Sequence, residues 1–523
     1  MPDTPSASPR EEALRAANER LRRVVEAKDA EIAMLRAALE AANERQGELI
    51  IRLELRIAEL ERRLSMDSSN SSVPPSKEQI AAKARREAAR RASQRERSKD
   101  RKPGGQPGHK GTGLAPAPEP DRTEIADPPA ECRSCGGSLA GVERAGTGWG
   151  QVWDIPPVRL EKVHWLLPML RCRRCGTVTC ADPPGGQAST VAYGPNVNAA
   201  AALLGSEGNV PVERTAKLMG ALLGAPVSAG FVARAHERLA ERLEAAGFDE
   251  SMKAALRAEP VLCADESPAN VARMGTGADG APVPGQPQVV TVRTPDERLT
   301  WYGATASRSS EAIAALGVMD GYRGILVRDG YEGWAQFGGQ LAGVQQCCAH
   351  LQRHLKGIHA LHPAWQRWAE DVRGILTDAH AAVEDAATAA QDALDPELLA
   401  GLRQRYDEAV HWGEITNRCR DWDEGKNHPG YVLARRLKAK AGQVWLFTTN
   451  FAVPWTNNAS EQAIKAPKRH QAVSGYWHTL TTLARYCRVR SYLASSRNHG
   501  IPPIDAIHAA LAGRPWLPSP VSA

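Results

Sequence analysis

Nowhere do the 523 residues hold an uninterrupted apolar run near the roughly 18 that a membrane helix requires. Even Ala199 to Leu204 soon meets Glu207 and Gly208. Ten cysteines are too sparse for a disulfide scaffold, and Met1 to Arg10 lacks the apolar stretch of a secretory signal. Charge of one sign is also scarce. Lys and Arg number 66 against 60 Asp and Glu, a net of only +6, too little for the whole chain to act as a basic nucleic-acid coat. These absences predict a soluble, cytoplasmic protein from a reducing compartment, with no membrane partner. At roughly 100 to 200 residues per domain, the length predicts about three to five units.

What is present is segmented. Over residues 11–66, Leu21, Val25, Ile32, Leu35 and Leu39, then Ile50, Leu53, Ile57, Leu60 and Leu64, follow the three-and-four spacing of a coiled-coil seam. Asn18, Lys28 and Gln46 fall on the same seam, where polar groups fix register at a cost in stability. Such a seam predicts a homo-oligomerisation zipper. It should end in the cap- and turn-forming run from Asp67 to Pro75.

Residues 67–115 then read as a basic, Pro- and Gly-rich linker. From Lys77 to Gly111 there are twelve Lys/Arg against four Asp/Glu, a local +8 that exceeds the net charge of the chain. Arg101, Lys102 and Lys110 are candidate phosphate contacts, because a cationic segment too poor in apolar residues to fold alone binds DNA through its backbone charge.

Within residues 116–188, Cys132-x-x-Cys135 and Cys172-x-x-Cys175 are separated by 36 residues, and each pair is followed by glycine. Four thiolates on two tight turns are the donor set of a closed, structural Zn²⁺ site. The apolar stretch from Gly150 to Leu170 is expected to form strands between the knuckles, completing a zinc ribbon, with Cys180 outside the ligand set. Residues 189–258 read as a helical domain with a helix-turn-helix pattern. A helix at Val212 to Leu218, a turn at Gly224 and a second helix capped by Ser228 would either point Arg234, His236, Arg238 and Arg242 toward a groove or form a plain helical hairpin, and the sequence favours neither.

The chemistry begins at residue 259. Val261 to Ser267 is a short apolar strand delivering Asp265; Gln288 to Arg293 and Leu299 to Ala304 read as strands, Ser309 to Leu316 as a helix, and Gly324 to Tyr331 as another strand ending in Asp329. Three strands, a helix and a fourth strand is the order of a ribonuclease-H-like mixed sheet, which brings two carboxylates to neighbouring strand ends. Glu266 should point to the opposite face and bind no metal. A third carboxylate, Glu461, follows the turn Trp455-Thr456-Asn457-Asn458 in the first helical turns. Residues 259–357 and 441–490 thus form a core split by an all-helical insertion at 358–440, with a C-terminal tail at 491–523. The fold class expected is multidomain α/β plus all-α.

These residues carry a resemblance. The chain is similar to the large DDE transposases of bacterial insertion sequences, of the TnpC type, through Gly104-Gly105-Gln106-Pro107-Gly108-His109, the paired CxxC motifs, Asp265-Glu266-Ser267-Pro268, Asp329-Gly330-Tyr331, Cys347-Cys348-Ala349-His350-Leu351-Gln352-Arg353 and Val453 to Glu461. The resemblance implies a triad of Asp265, Asp329 and Glu461 holding Mg²⁺ (or Mn²⁺), cleavage and joining of DNA, element ends and target DNA as partners, helper proteins of the same element, and a place on the nucleoid. It also implies a rival: a DNA-binding regulator on the same fold with impaired catalysis. Thr456 and Gln462 stand where the family usually has Asp and Arg, and Ala472 replaces a frequent basic residue. His350 and Arg353 are expected near the scissile group, and Lys465 and Lys468 near the helical face of Glu461, where they would hold phosphate.

Overall fold

The computed structural model describes residues 9–67, 70, 83–84, 88, 113–182, 191–275, 285–420, 422 and 425–519. The basic segment with Arg101, Lys102 and Lys110 lies outside the described residues, as does the Gly104–His109 motif.

Helix α1, Pro9–Ser65, ends within two residues of the expected stop at Asp67. Among the described residues, its seam has no partner over most of its length: Leu21, Leu35 and Leu39 are each about three-fifths exposed. The exception is the last turn, where Glu59 is buried against Arg62, Arg63 and Trp422.

The cysteine segment contains one hairpin, β1 (Met169–Arg171) with β2 (Val178–Cys180), antiparallel around the second knuckle. The strands expected across Gly150 to Leu170 do not form apart from the start of β1. Val152, Ile155 and Leu166 lie exposed without ladder partners, so their apolar character buries nothing and closes no sheet.

Next come α2 (Pro195–Ser206), α3 (Val212–Leu223), α4 (Ala229–Ala245) and α5 (Phe248–Arg257). The turn between α3 and α4 follows the sequence: Gly224 takes the left-handed conformation that ends a helix, and the Ser228 hydroxyl accepts from the Phe231 amide to start the next. The expected basic face is only partly exposed. Arg234 and Arg242 face solvent, but Arg238 donates to Asn198 Oδ1 and His236 packs inward, its pKa pushed down to about 4 chiefly by burial.

The central sheet is five-stranded, assembled from β3 (Val261–Pro268), β5 (Gln288–Arg293), β6 (Thr300–Thr305), β7 (Ile325–Arg328) and β8 (Gly343–Gln346). A short strand β4 (Val271–Arg273) leaves this sheet to pair elsewhere, and the short helix α6 (Ser310–Ala314) precedes β7. The order is β6-β5-β3-β7-β8, antiparallel on the β5 side of β3 and parallel on the β7 side. The sheet is mixed, as the order of strands and carboxylates in the sequence leads one to expect.

Beyond β8 follow α7 (Cys348–Leu361), α8 (Arg367–Thr388), α9 (Pro396–Arg418), α10 (Pro429–Ala439) and the single turn α11 (Ala441–Trp445). Then come α12 (Asn458–Ser474), β9 (Trp477–Thr479), which pairs with β4, α13 (Leu480–Asn498) and α14 (Pro503–Leu511). The expected boundary at residue 490/491 falls inside α13, and Tyr492, Leu493, Ala506 and Ile507 are core residues rather than a tail.

Side-chain alternation along β3 feeds two of the apolar clusters of the interior, one on each face. Leu262 and Ala264 pack with Leu239, Phe248, Val489 and Tyr492 from α4, α5 and α13. Val261 and Cys263 pack on the other face with Leu351 and Leu355 of α7 and with the insertion helices. Asp265 therefore emerges on the α7 side and Glu266 on the α13 side.

Candidate functional site

The parallel pairing Cys263↔Val327 sets the geometry of the first two carboxylates. Two residues further on, Asp329 directly follows the end of β7, whereas Asp265 lies inside β3, paired with Thr291 of β5 just past the last β3–β7 pair, and not at the strand end expected for it, because β3 continues along β5 to Pro268. Each is oriented by a backbone amide: Glu266 N donates to Asp265 Oδ1 at 2.9 Å, and Tyr331 N to Asp329 Oδ1 at 2.8 Å.

Glu461 lies one turn into α12, whose start is fixed by three contacts. Asn457 Nδ2 donates to the Ala264 carbonyl at 2.8 Å, one residue before Asp265. The Asn457 amide donates to Cys347 Sγ at 3.2 Å, and Cys348 N to the Trp455 carbonyl at 2.9 Å. Arg293 Nη1 on β5 adds a bond to the Ala459 carbonyl at 2.7 Å. Asn457 was expected as a turn and capping residue. It stands at the N-cap position, but its side chain makes no cap and ties α12 to β3 instead.

Asp265 is half-buried. Burial raises its pKa well above the usual carboxylate range, and the negative charges of Glu266, Asp329 and Glu461 raise it further. Three acidic side chains from β3, the end of β7 and α12 thus share one field with too little positive charge to balance Asp265. That is the donor chemistry of a hard divalent cation site. Asp265, Asp329 and Glu461 do not all fall within 4.8 Å of one another.

Glu266 is on the opposite face, as alternation requires. Its carboxylate accepts from Arg308 and from Trp334 Nε1 at 2.7 Å. His350 and Arg353, one turn apart on α7, do converge on the third carboxylate: His350 Nδ1 and an Arg353 Nη each lie 3.5 Å from Glu461 Oε1. The His350 pKa is pushed down to about 4 by burial and then by Arg353, so its ring is neutral near pH 7. Lys465 and Lys468 are exposed on the face of α12 that carries Glu461, with the Lys465 ammonium donating to Gln462 Oε1 at 2.8 Å.

Arg436 is a residue that sequence reasoning missed. It is a half-buried arginine on α10 that donates toward His354 Nδ1 at 2.8 Å and feels the charge of Asp329. Its signal was hidden, since Arg435-Arg436 reads as an ordinary surface pair on an insertion helix.

The cysteine knuckles repeat one geometry. Cys132 N bonds the Gly137 carbonyl and Gly136 N the Cys132 carbonyl, both near 2.9 Å; Cys172 with Thr177 and Gly176 with Cys172 do the same. Gly136 and Gly176 both have a φ in the left-handed range, so the glycine after each pair is a conformational requirement. Local hydrogen bonds, chiefly from the Cys135 backbone for Cys132 and from Thr177 for Cys175, lower both thiol pKa values. Thiols poised to ionise on tight amide-rich turns fit Zn²⁺. No three of the four sulfurs lie within 4.8 Å of one another, so the pairs are formed but not converged.

Among the described residues, no helix is long and apolar enough to cross a membrane. The chain has no match among curated proteins. Residues 129–176, spanning both CxxC pairs, match the zinc-finger binding domain of transposase IS66, and residues 2–115 match a family of unknown function. Residues 190–484 match the transposase IS66 family, and because this match covers more than half of the 523 residues, the chain belongs to that family.

Proposed function

We propose that this transposase cuts and joins DNA through a triad of Asp265, Asp329 and Glu461, with Mg²⁺ (or Mn²⁺) as its catalytic ion. The observation that carries the reading is the placement of the three carboxylates by three separate elements, with Asn457 tying the Glu461 helix to the strand of Asp265.

Bound divalent ions would supply Lewis acidity at the scissile phosphate and lower the pKa of an attacking water or 3′-hydroxyl. The protein's own groups do the rest. Asp265 offers oxygens from within β3 and Asp329 from just past β7, Glu461 approaches from a pinned helix, and Arg353 and Arg436 place positive charge beside the acidic cluster where a phosphodiester must enter. Lys465 and Lys468 extend that charge along α12.

The remaining segments fit the same task. Cys132, Cys135, Cys172 and Cys175 would hold a structural Zn²⁺ that folds the module following the basic arm. Arg101, Lys102 and Lys110 would neutralise backbone phosphates of the element ends and target. The seam of α1 would pair copies of the chain, as joining two ends demands two active sites in one assembly.

The test is an assay of the purified full chain with its element's terminal sequence and Mg²⁺. Joined product from the parent chain supports the reading. Tight end binding without cleavage or joining in Mg²⁺ or Mn²⁺ would overturn it in favour of the DNA-binding regulator.

A further inference from the structure

Beside the acidic cluster is a second donor set of different chemistry. Cys347 follows β8 and starts α7; His350 lies three residues later, held back by the bond from its amide to the Cys347 carbonyl at 3.1 Å. This Cys-x-x-His turn places sulfur and imidazole on one side of a helix start. Glu461 arrives from α12 on that side. One ligand atom from each of Cys347, His350 and Glu461 lies within 4.8 Å of the other two.

Three features mark the set as more than close packing. His350 Nδ1 is buried and makes no hydrogen bond, while it is aimed at Glu461 Oε1 3.5 Å away. A buried ring nitrogen without a hydrogen bond is costly, and a metal ion is one of the few partners that resolves it. Cys347 is buried without a disulfide, and its sulfur receives the Asn457 amide at 3.2 Å, the outer contact that a metal-bound thiolate uses. One soft sulfur, one imidazole and one carboxylate suit zinc-like ions and not Mg²⁺, and three protein donors leave a position open.

We propose that Cys347, His350 and Glu461 form a binding site for a zinc-class divalent ion, separate from the cysteine knuckles, which takes Glu461 out of the carboxylate triad. On binding, the Cys347 S–H bond breaks, its proton goes to solvent, and a sulfur–metal bond forms with no change of oxidation state. The neutral His350 ring supplies its lone pair directly. Because one carboxylate serves both sets, occupancy by zinc and use of Glu461 for Mg²⁺ compete. The inhibitory consequence rests on the proposed triad; the binding site itself does not.

The experiment counts zinc per chain by elemental mass spectrometry in the dialysed full-length protein, without DNA. It compares the parent with Cys347→Ser, His350→Gln and Cys132→Ser, using circular dichroism to confirm that each variant folds. The parent is expected to hold one zinc more than either Cys347→Ser or His350→Gln, and Cys132→Ser to keep that zinc. Equal counts in the parent and both site variants would overturn the proposal. Joining activity in Mg²⁺ is then titrated with zinc, each variant scaled to its own uninhibited rate. In whichever site variant folds, the inhibition midpoint should rise at least about tenfold, since losing even a hydrogen-bond partner of a ligand costs about that much affinity; an unmoved midpoint sinks the competition. A parent that holds the extra zinc but joins no DNA leaves the site standing and removes the triad reading.

Discussion

Asp265 illustrates how a single side chain can be at odds with its own fold. Its pKa is raised in the folded chain, so at pH values between the ordinary carboxylate range and the folded value, the unfolded chain has released a proton that the folded chain keeps. The stability contribution of Asp265 is then complete below the unfolded pKa and declines as pH rises toward the folded one. Asp265→Asn, neutral at every pH, is therefore expected to raise the melting temperature of the metal-free protein near pH 7 by about 2 °C or more, while removing the stabilisation that added Mg²⁺ gives the parent. Calorimetry with and without Mg²⁺ checks both signs.

Asn457 carries the opposite kind of information. Its partners are 193 and 110 residues away in sequence, so nothing in the local pattern Trp-Thr-Asn-Asn distinguishes a cap from a clamp. The three carboxylates were legible because each lies on or directly beside a recognisable element; the residues that hold them together were not, for lack of any short-range signal. Asn457→Ala leaves the Ala264 carbonyl without its side-chain donor, expected to cost about 1–3 kcal/mol in a denaturant melt. Joining should fall more than end binding, since the defect lies in the position of Glu461. Equal loss of both would show that Asn457 supports the fold alone.

At the scale of elements, alternation and short apolar runs located the strands well. Gln288–Arg293 forms as read, and the two apolar clusters on the faces of β3 follow from its period-two pattern. The same reasoning failed at Gly150 to Leu170, where apolar residues are present but no neighbouring strand is supplied; a strand needs a ladder partner, and composition does not reveal one. It failed in another way at α13 and α14. A polar-looking C-terminal sequence packs small serines and alanines closely, with the Ser491 and Ser495 hydroxyls bonded to the backbone of β6.

Helix α1 presents a seam with no partner among the described residues and a last turn docked through Glu59, whose carboxylate is held down to about pKa 2 by Arg62, with Arg63 adding to the effect. A free seam on an anchored helix predicts self-association without loss of the catalytic fold. Leu35→Lys with Leu39→Lys is expected to lower the mass found by analytical ultracentrifugation and leave the helical signal of the globular part intact. An unchanged mass would mean that copies associate elsewhere or not at all.

For the whole molecule, a net +6 conceals a division of labour. The segment Lys77 to Gly111 carries +8, so the rest of the chain is slightly acidic, and its acidic centre must be approached by a polyanion. Charge in the arm can recruit DNA, and cations at the triad can admit it. If Arg101, Lys102 and Lys110 each neutralise one phosphate, replacing all three by Ala should flatten the slope of log binding constant against log salt by about 3 units. A parent slope left unchanged would exclude the arm from the complex.

The central claim is that Asp265, Asp329 and Glu461 act as one triad, and it is tested most directly by measuring joined DNA product for Asp265→Asn, Asp329→Asn and Glu461→Gln beside the parent, at equal end binding and saturating Mg²⁺. Each substitution is predicted to reduce product at least about a hundredfold. Product that survives at parental levels in any one of the three would contradict the assignment of that carboxylate and with it the triad.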